Sequence, residues 1–256
     1  MCELYGISSN KTISLNESLK LFYKHSAKNP KGWGLAYWND KSEITIYNEG
    51  KCGNDSELLQ EILASPIESK VSIGHIRTAT VGSMSDNNSH PFTRTDCTGR
   101  EWTLAHNGNI YIGSQLLPFR DKQIGETDSE CILLYIVDCI NKKTERKGRP
   151  LNSKERCEII DSITEELSKG NKLTLLIYDT EQFYVYTNIK EILYFSSQDD
   201  YYCFVGVPLD NNFFWNKVPL NVLIVYSGTN QIYYGPDHGN EFVKNTPMKF
   251  QILLFK

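Results

Sequence analysis

The second residue of the chain is a cysteine, and a thiol at this position can do chemistry that an internal thiol cannot. We expect Met1 to be removed, because trimming of an initiator methionine is sterically permitted when the next side chain is small. Cys2 would then carry a free α-amine, whose reference pKa of about 7.7 to 8.0 lets it take the proton of its own thiol at neutral pH. Taken alone, Cys2 is more simply explained as a chance residue of the strand that begins Cys2-Glu-Leu-Tyr-Gly-Ile-Ser.

Arg77 lies in the segment Gly74-His-Ile-Arg-Thr-Ala-Thr-Val-Gly82, among small and polar residues at the predicted end of a strand. A guanidinium in this place could bind a carboxylate through two parallel hydrogen bonds. An arginine in a surface ion pair explains the residue equally well. His75 alternates onto the same face of the strand, and we expect it to be a hydrogen-bonded structural histidine rather than a base.

Asn107 and Gly108 follow another predicted strand, and an Asn-Gly dipeptide is typical of a tight turn with glycine at positive φ. The same turn would present a side-chain amide beside an exposed backbone N–H. Two converging donors are what the oxyanion of a tetrahedral intermediate needs, and each is worth about 3 to 4 kcal/mol. The turn could therefore serve catalysis as well as chain reversal.

Asp128 stands in the segment Gly125-Glu-Thr-Asp-Ser-Glu130. A capping box formed by Thr127 and Glu130 would start a helix here, and an acidic residue in a first helical turn suits the helix dipole without any further function. A carboxylate in this place could also bind a substrate ammonium group. Together with Arg77, it would suit the zwitterion of an amino acid, and this pairing is a hypothesis.

The elements that must position these residues are indicated by periodicity. Strands cluster early and late, and they do not alternate strictly with helices, so we expect an α+β domain of antiparallel sheets covered by helices. The basic segment Lys142 to Arg149 is predicted to be an exposed loop. The predicted helices are Ser14 to Lys24, opened by a Ser14-x-x-Glu17 capping box, Asp55 to Ala64, Thr127 to Ile140 and Asn152 to Ser168. The predicted strands are Gly34 to Trp38, Glu43 to Tyr47, Lys70 to Ile76, Glu101 to Ala105, Leu173 to Tyr178, Gln182 to Tyr186, Tyr201 to Val205, Asn221 to Tyr226, Gln231 to Tyr234 and Lys249 to Phe255.

Composition limits the classes of function. The 256 residues suit one large domain, 1–256, and the 27 basic and 31 acidic residues include no basic block that would bind nucleic acid. No run of about 18 apolar residues predicts a membrane span, so we expect a soluble, cytoplasmic protein. Seven cysteines without a Cys-x-x-Cys pair argue against a disulfide framework and a zinc site.

The motifs taken together resemble those of the class II glutamine amidotransferases, which belong to the N-terminal-nucleophile (Ntn) hydrolase superfamily. The chain looks most similar to the standalone, single-domain branch of this family. The resemblance implies a four-layer αββα sandwich, in which two antiparallel sheets lie between helix layers. The motifs that carry it, in the family's order, are Met1-Cys-Glu-Leu-Tyr-Gly6, Gly32-Trp-Gly34, Gly74-His-Ile-Arg-Thr-Ala-Thr80, Asn88-Ser-His-Pro-Phe92, His106-Asn-Gly108 and Glu126-Thr-Asp-Ser-Glu130.

The resemblance also implies roles for individual residues. Cys2 would be the nucleophile and, through its α-amine, the base, and its attack on the glutamine carboxamide would need neither a metal nor an organic cofactor. The Asn107 side chain and the Gly108 N–H would form the oxyanion hole. At the other end of glutamine, Arg77 would bind the α-carboxylate, Asp128 would bind the α-ammonium, and Thr80 would contact the same end. His90 and Phe92 would shape the pocket wall.

The chain also departs from the family pattern. Better-known members with fused synthase domains carry Trp and His where this chain has Thr78 and Val81, and Lys31 replaces an acidic residue before Gly-Trp-Gly. These departures bear on the exact substrate preference. Because the amidohydrolase domain is expected to take up the whole chain, we expect a glutaminase that acts alone or supplies ammonia to a separate synthase subunit. Two alternatives stay open, namely a hydrolase of γ-glutamyl amides or peptides and a non-catalytic regulatory subunit that binds glutamine.

Overall fold

The computed structural model describes residues 2–78, 83–211 and 213–243. Among these residues, four α-helices lie in the first two thirds of the chain together with six strands, seven consecutive strands follow them, and short 3-10 helices occur between some elements. The helices are α1 (Asn16–Tyr23), α2 (Glu57–Ala64), α3 (Asp128–Lys147) and α4 (Ser153–Ser168). The strands are β1 (Glu3–Ser14), β2 (Trp33–Trp38), β3 (Ile44–Glu49), β4 (Glu68–Ile76), β5 (Phe92–Thr95), β6 (Glu101–His106), β7 (Thr174–Tyr178), β8 (Phe183–Thr187), β9 (Tyr194–Ser197), β10 (Tyr201–Val205), β11 (Asn216–Lys217), β12 (Ile224–Ser227) and β13 (Asn230–Tyr234).

The strands form two antiparallel sheets. One has seven strands in the order β11-β9-β10-β1-β4-β2-β3, and the other has six in the order β13-β12-β8-β7-β6-β5. The first strand, β1, lies in the middle of the larger sheet between β4 and β10. In the smaller sheet, β6 pairs with β5 and β7 and ends directly before Asn107. The predicted class of antiparallel sheets with covering helices is confirmed.

Buried apolar side chains form three core layers, because successive side chains of each strand point to opposite faces. Leu4 of β1 and Ala105 of β6 belong to the layer between the two sheets. On the outside of the larger sheet, Trp33 packs with residues of α1 and α2. On the outside of the smaller sheet, Trp102 packs with residues of α3 and α4. The four layers are therefore arranged αββα, as expected.

Helices α3 and α4 begin close to the predicted residues. Asn152 caps α4 and forms a full capping box with Glu155. Thr127 caps α3 by accepting a hydrogen bond from the Glu130 N–H. The Glu130 carboxylate does not return to Thr127, as the predicted capping box requires, but accepts from the backbone N–H groups of residues 124 and 125, each at 2.8 Å. The capping box predicted for α3 is thus only half formed.

The capping box predicted at Ser14 is wrong. Ser14 is the last residue of β1 and pairs with Glu68 of β4, so its backbone belongs to a sheet. Helix α1 begins after Leu15, which makes no side-chain capping bond. Three short strands, β5, β9 and β11, were not predicted, since two to four residues are too few to show a period. The strand predicted for Lys249 to Phe255 lies outside the described residues.

The prediction that the segment from Lys142 to Arg149 is an exposed loop is also wrong for most of that segment. Helix α3 continues to Lys147 and ends at Gly148, whose φ of 63° suits a glycine C-cap. Within the basic segment, Lys142 Nζ forms an ion pair with Asp138 Oδ2, one turn earlier, at 2.7 Å. An ion pair at this spacing stabilises a helix. Neither α3 nor any other helix that the structure describes combines the length and the apolar character that crossing a membrane requires.

Candidate active site

Cys2 and Arg77 lie side by side at one end of the larger sheet. Glu3 of β1 pairs with Ile76 of β4, so the antiparallel register places Cys2 opposite Arg77. Leu4 belongs to the core between the sheets, and Cys2 is on the same face of the strand because side chains alternate. Residues opposite each other in a ladder share a face. Both functional side chains therefore belong to one end of the space between the sheets.

The sulfur of Cys2 is held by the backbone of Thr78. The Thr78 N–H donates a hydrogen bond to Sγ at 3.2 Å, and the thiol can donate to the Thr78 carbonyl oxygen at 3.4 Å. Removal of water from around the sulfur raises the pKa of the Cys2 thiol, and the bond from the Thr78 N–H partly offsets this rise. The sulfur at rest is therefore a thiol, which needs a base before it can attack.

Asn107 follows β6, and the Nδ2 group of its side chain is a buried hydrogen-bond donor. Its backbone is fixed, because the Asn107 N–H donates to the Thr174 carbonyl oxygen at 2.9 Å. The residue is only 5% exposed, yet Nδ2 has no acceptor among the described residues. A buried donor without a partner costs about 1 to 3 kcal/mol. Such a donor is either a defect or the place where a ligand oxygen binds.

Gly108 adjoins this amide, and its place in the fold excludes every other residue type. A Cβ at this position would lie 2.0 Å from the Lys172 carbonyl oxygen and 2.4 Å from His106 Nε2. The expectation that Gly108 adopts a positive φ is wrong, since Gly108 is not among the residues with positive φ. Close packing is the reason for the glycine. Within the described part of the chain, the Gly108 N–H has no hydrogen-bond acceptor.

Asp128 is the first residue of α3, and its carboxylate supports the turn that contains Asn107 and Gly108. Oδ2 accepts from the Ile110 N–H at 2.9 Å, and Oδ1 accepts from the Ser129 hydroxyl at 3.3 Å. The charge of Asp128 raises the pKa of the Cys2 thiol, so the carboxylate lies near the sulfur. Asp128 is 8% exposed. The structure thus brings Cys2, the Asn107 turn and Asp128 to one site.

Arg77 is buried and lies within a polar framework. Nη1 donates to the Ser83 carbonyl oxygen at 2.8 Å. Ser83 is held in turn by Glu126, which accepts from its N–H at 2.7 Å and from its hydroxyl at 2.8 Å. Burial lowers the pKa of the guanidinium, and the charges of Cys2 and Glu126 act in the opposite direction. Arg77 is thus a fixed cation beside the Cys2 sulfur.

The other predicted site residues have different positions. Thr80 lies outside the described residues. His90 is 4% exposed, and its ring packs against that of His75 in a tilted arrangement with 4.1 Å between the centroids. Phe92 is buried in the core between the smaller sheet and α3, with its ring 4.7 Å from that of His90. Both His90 and Phe92 therefore lie beneath the surface of the site.

The expectation that His75 is hydrogen-bonded is wrong. Its ring is fully buried and lies beside the His106 backbone, but neither ring nitrogen has a hydrogen-bond partner with adequate geometry among the described residues. The ring nitrogens of His90 are equally unpartnered. In the described part of the chain, no group of three or more His, Cys, Asp or Glu side chains could hold a metal ion. The two adjacent imidazole rings are therefore packed beneath the site in the way that apolar side chains would be.

The burial of the His75 ring predicts that the stability of the protein depends on pH. Burial, helped by the charge of Arg77, lowers the pKa of His75 to about 3. From about pH 6.5 down to that value the unfolded chain binds a proton that the folded chain does not, so the free energy of unfolding falls as the pH falls. In a His75→Gln variant, the free energy of unfolding measured with urea should depend less steeply on pH, with a slope that is smaller by up to about 1.4 kcal/mol per pH unit. An unchanged slope between pH 4 and 6.5 would contradict this assignment.

The comparison of the whole chain with protein families agrees with this geometry. The family model described as glutamine amidotransferases class-II matches residues 1–217, which include every residue of the site. The chain belongs to the class II glutamine amidotransferases.

Relatives of this class II glutamine amidotransferase differ in length. It is 31% identical over 183 residues to YafJ of Escherichia coli strain K12, whose name marks it as a candidate glutamine amidotransferase, and the match covers 70% of each chain. It is 36% identical over 143 residues to the uncharacterized protein MJ1515 of Methanocaldococcus jannaschii, covering 56% of this chain and 40% of that one. The match to glutamine–fructose-6-phosphate aminotransferase of Clostridium acetobutylicum is 28% identical over 254 residues and spans 35% of that enzyme.

Solved structures share the fold of the amidotransferase. A predicted glutamine amidotransferase from Pseudomonas aeruginosa PA01 superposes with a TM-score of 0.62 at 21% identity, covering 91% of this chain and all of that one. Glutamine phosphoribosylpyrophosphate amidotransferase from B. subtilis gives a TM-score of 0.65 at 17% identity, covering 90% of this chain and 48% of that one. These likenesses confirm the Ntn-hydrolase fold.

Asn171 is a residue of the amidotransferase site that the sequence analysis missed. It is fully buried, and its Oδ1 accepts from the N–H groups of Tyr111 at 2.6 Å and Ile112 at 2.8 Å. Its Nδ2 donates to the carbonyl oxygens of Ile112 at 2.6 Å and Leu167 at 2.8 Å. One side chain thus fixes the segment that follows the Asn107 turn. The signal in the sequence is the Gly-Asn pair after α4, which is typical of a turn and says nothing of its distant partners.

Proposed function

We propose that this protein hydrolyses the side-chain amide of glutamine to glutamate and ammonia through a thioester on Cys2. The observation that carries the proposal is a pair of donors, the Asn107 Nδ2 and the Gly108 N–H, for which the described residues supply no acceptor and which lie at the same end of the fold as the Cys2 sulfur. Donors that are fixed in advance stabilise an oxyanion without reorganisation. This is the arrangement that acyl transfer from a carboxamide requires.

The first step is attack by sulfur. Because burial raises the pKa of the Cys2 thiol, the proton must pass to a base, and the α-amine of a chain that begins at Cys2 supplies one. As the proton moves to the amine, the sulfur bonds to the amide carbon, and the carbonyl electrons move to oxygen. Asn107 and Gly108 then donate to this oxyanion. The Thr78 N–H stabilises the thiolate just before attack.

The second step expels ammonia and then consumes water. The protonated α-amine returns its proton to the nitrogen of the tetrahedral intermediate, the C–N bond breaks, and a γ-glutamyl thioester is left on Cys2. Water then adds to the thioester carbon, with the amine accepting a proton from it. The C–S bond breaks, glutamate leaves, and the amine returns the proton to the sulfur. No net oxidant, reductant or cofactor enters this sequence.

The two charges beside the sulfur suit the two charges of an amino acid. Arg77 would bind the α-carboxylate of glutamine, Asp128 would bind its α-ammonium, and Thr80 would contact the same end. The buried position of Arg77 supports this role, since a guanidinium out of water binds a carboxylate more strongly than one on the surface.

Replacing Arg77 with lysine tests this role while keeping a positive charge in the site. Lysine cannot form two parallel hydrogen bonds to a carboxylate, so we expect KM for glutamine to rise about 10- to 100-fold with a smaller change in kcat. Steady-state glutaminase kinetics measure both constants. An unchanged kcat/KM would contradict the binding role, and thermal unfolding of the variant shows whether the loop bond to Ser83 has also been lost.

We further propose that the ammonia serves a separate acceptor enzyme and that the protein works in the cytoplasm. The first point is supported by the family to which the chain belongs, since an amidotransferase, as the name says, passes the amide nitrogen of glutamine to an acceptor. The second is supported by the seven cysteines, all of which are free thiols.

The proposed reaction is tested by its products. The purified protein, incubated with glutamine, should release glutamate and ammonia in equal amounts. Parallel incubations with asparagine and with γ-glutamyl peptides distinguish a glutaminase from a hydrolase of other γ-glutamyl amides. Faster turnover of a γ-glutamyl peptide would overturn the glutamine assignment, and turnover of none of them would overturn the enzyme assignment.

A further inference from the structure

A chain of hydrogen-bonded polar side chains runs behind the nucleophile, and the reaction proposed above does not use it. Its members are Glu3, His25 and Asn29, and it ends at Thr78, the residue whose backbone holds the Cys2 sulfur. Glu3 is 9% exposed and Asn29 is 5% exposed, whereas His25 and Thr78 are half-buried. The burial of the two inner groups, Glu3 and Asn29, is costly unless their hydrogen bonds are satisfied.

The direction of each hydrogen bond follows from the chemistry of the groups. A carboxylate only accepts, so the Glu3 carboxylate takes a bond from His25 Nδ1 at 2.7 Å and another from Asn29 Nδ2 at 3.1 Å. With its NH₂ group turned toward Glu3, the Asn29 amide presents its oxygen to Thr78. The Thr78 hydroxyl donates to that oxygen. Glu3 therefore fixes the orientation of Asn29, and Asn29 fixes the side chain of Thr78.

These bonds close a ring through the sulfur. Glu3 follows Cys2 in the chain, and Thr78 contacts the Cys2 sulfur from the neighbouring strand with both its N–H and its carbonyl group. Any rotation of the Thr78 peptide would move the N–H that offsets the raised pKa of the thiol. The same rotation would free the sulfur to adopt other rotamers.

We propose that Glu3, His25 and Asn29 are positioning residues, which hold the Cys2 sulfur in its attacking geometry through the side chain of Thr78. This inference rests on the proposed function, because it assigns the ring to the nucleophile of that reaction. The hydroxyl of Thr78 connects the residue that holds the sulfur to the fixed amide of Asn29.

A pair of matched variants at Thr78 tests the ring. Thr78→Val keeps the shape and the backbone but removes the hydroxyl, and Thr78→Ser restores it. We expect Thr78→Val to lower kcat for glutamine about 3- to 10-fold, the range that loss of one neutral hydrogen bond covers, with KM within about twofold of the original. Thr78→Ser should recover at least half of the loss. Asn29→Ala, which removes the same bond from the other side, should resemble Thr78→Val.

A second readout does not depend on glutamine turnover. The rate at which iodoacetamide alkylates Cys2, followed against pH by mass spectrometry of the peptide, reports the fraction of thiolate. The pH at the midpoint of this alkylation curve should be higher in Thr78→Val and should return to the original value in Thr78→Ser. The charged side chains that act on the sulfur, Arg77 and Asp128, are the same in both variants. A purely structural ring would lower the unfolding temperature and leave both the midpoint and kcat alone, and that result would overturn the inference.

The two proposals fail in different ways. If glutamine is not hydrolysed by the unmodified protein, the proposed function is lost, whereas the alkylation midpoints still decide whether the ring positions the sulfur. If glutamine is hydrolysed but Thr78→Val, Thr78→Ser and Asn29→Ala all match the unmodified protein in kcat and in alkylation, the ring has no such role. Equal impairment of Thr78→Val and Thr78→Ser would also overturn the inference, since serine restores the donor.

Discussion

Replacing Cys2 with alanine is expected to lower kcat for glutamine hydrolysis by roughly 10⁶-fold, the scale on which loss of a nucleophile acts in acyl transfer. Three of the other cysteines, Cys131, Cys157 and Cys203, are buried. Burial raises the pKa of the Cys131 and Cys157 thiols to about 12 and raises that of Cys203 well above its usual value, so these thiols are poor replacements for Cys2. Glutamine should still bind to the Cys2→Ala variant, because Arg77 and the oxyanion turn are unchanged.

The matched control is Cys97→Ala, which removes an exposed thiol far along the chain from the nucleophile. Its kcat and KM should equal those of the unmodified protein. Calorimetric titration of Cys2→Ala with glutamine separates loss of chemistry from loss of binding. Residual activity above about 1% of the original in Cys2→Ala would show that another group attacks the amide, and the proposed mechanism would be wrong.

Replacing Asn107 with alanine is expected to lower kcat by about 100- to 1,000-fold, which corresponds to about 2.7 to 4 kcal/mol of transition-state stabilisation. The KM for glutamine should change little, because the donor binds the oxyanion more strongly than the ground-state carbonyl oxygen. The effect on stability should be small. Asn107 Nδ2 has no partner among the described residues, so no acceptor is left unsatisfied by the change.

Asn107→Asp provides a second test at the same position. The carboxylate has nearly the shape of the amide, but it offers acceptors in place of a donor and repels an oxyanion, so we expect activity at or below that of Asn107→Ala. Urea unfolding of both variants should give midpoints close to the original. A kcat within threefold of the original in Asn107→Ala would remove this side chain from the oxyanion hole.

The sequence predicts those parts of the site that depend on neighbours along the chain. Cys2, Arg77, Asn107-Gly108 and Asp128 each stand beside an end of a strand or at the start of a helix. Each local pattern also has an explanation without function, and only the resemblance of all the motifs to one family predicts a common site. The layered α+β fold is also predictable, since β-branched and aromatic strands cluster early and late with helices between. The limits of α4 follow from its capping box at Asn152.

Contacts between distant residues were not predictable from the same patterns. Asn171 binds Tyr111 and Ile112 across about 60 residues, and Asn29 meets Thr78 across 49. Nothing local distinguishes these asparagines from turn residues. The capping box at Ser14 failed for the opposite reason, because a strong local signal lost to the pairing of β1 with β4. His75 was misjudged since its lack of partners depends on what packs against it.

The central claim is that Cys2 acts as the first residue of the processed chain. The most direct test is to incubate the active protein with 6-diazo-5-oxo-norleucine, a glutamine analogue that alkylates amidotransferase nucleophiles, and to determine the intact mass and the modified peptide. We expect a chain without Met1 that carries one adduct, on a peptide beginning at Cys2. A fully active protein that keeps Met1, or an adduct on any other cysteine, would contradict it.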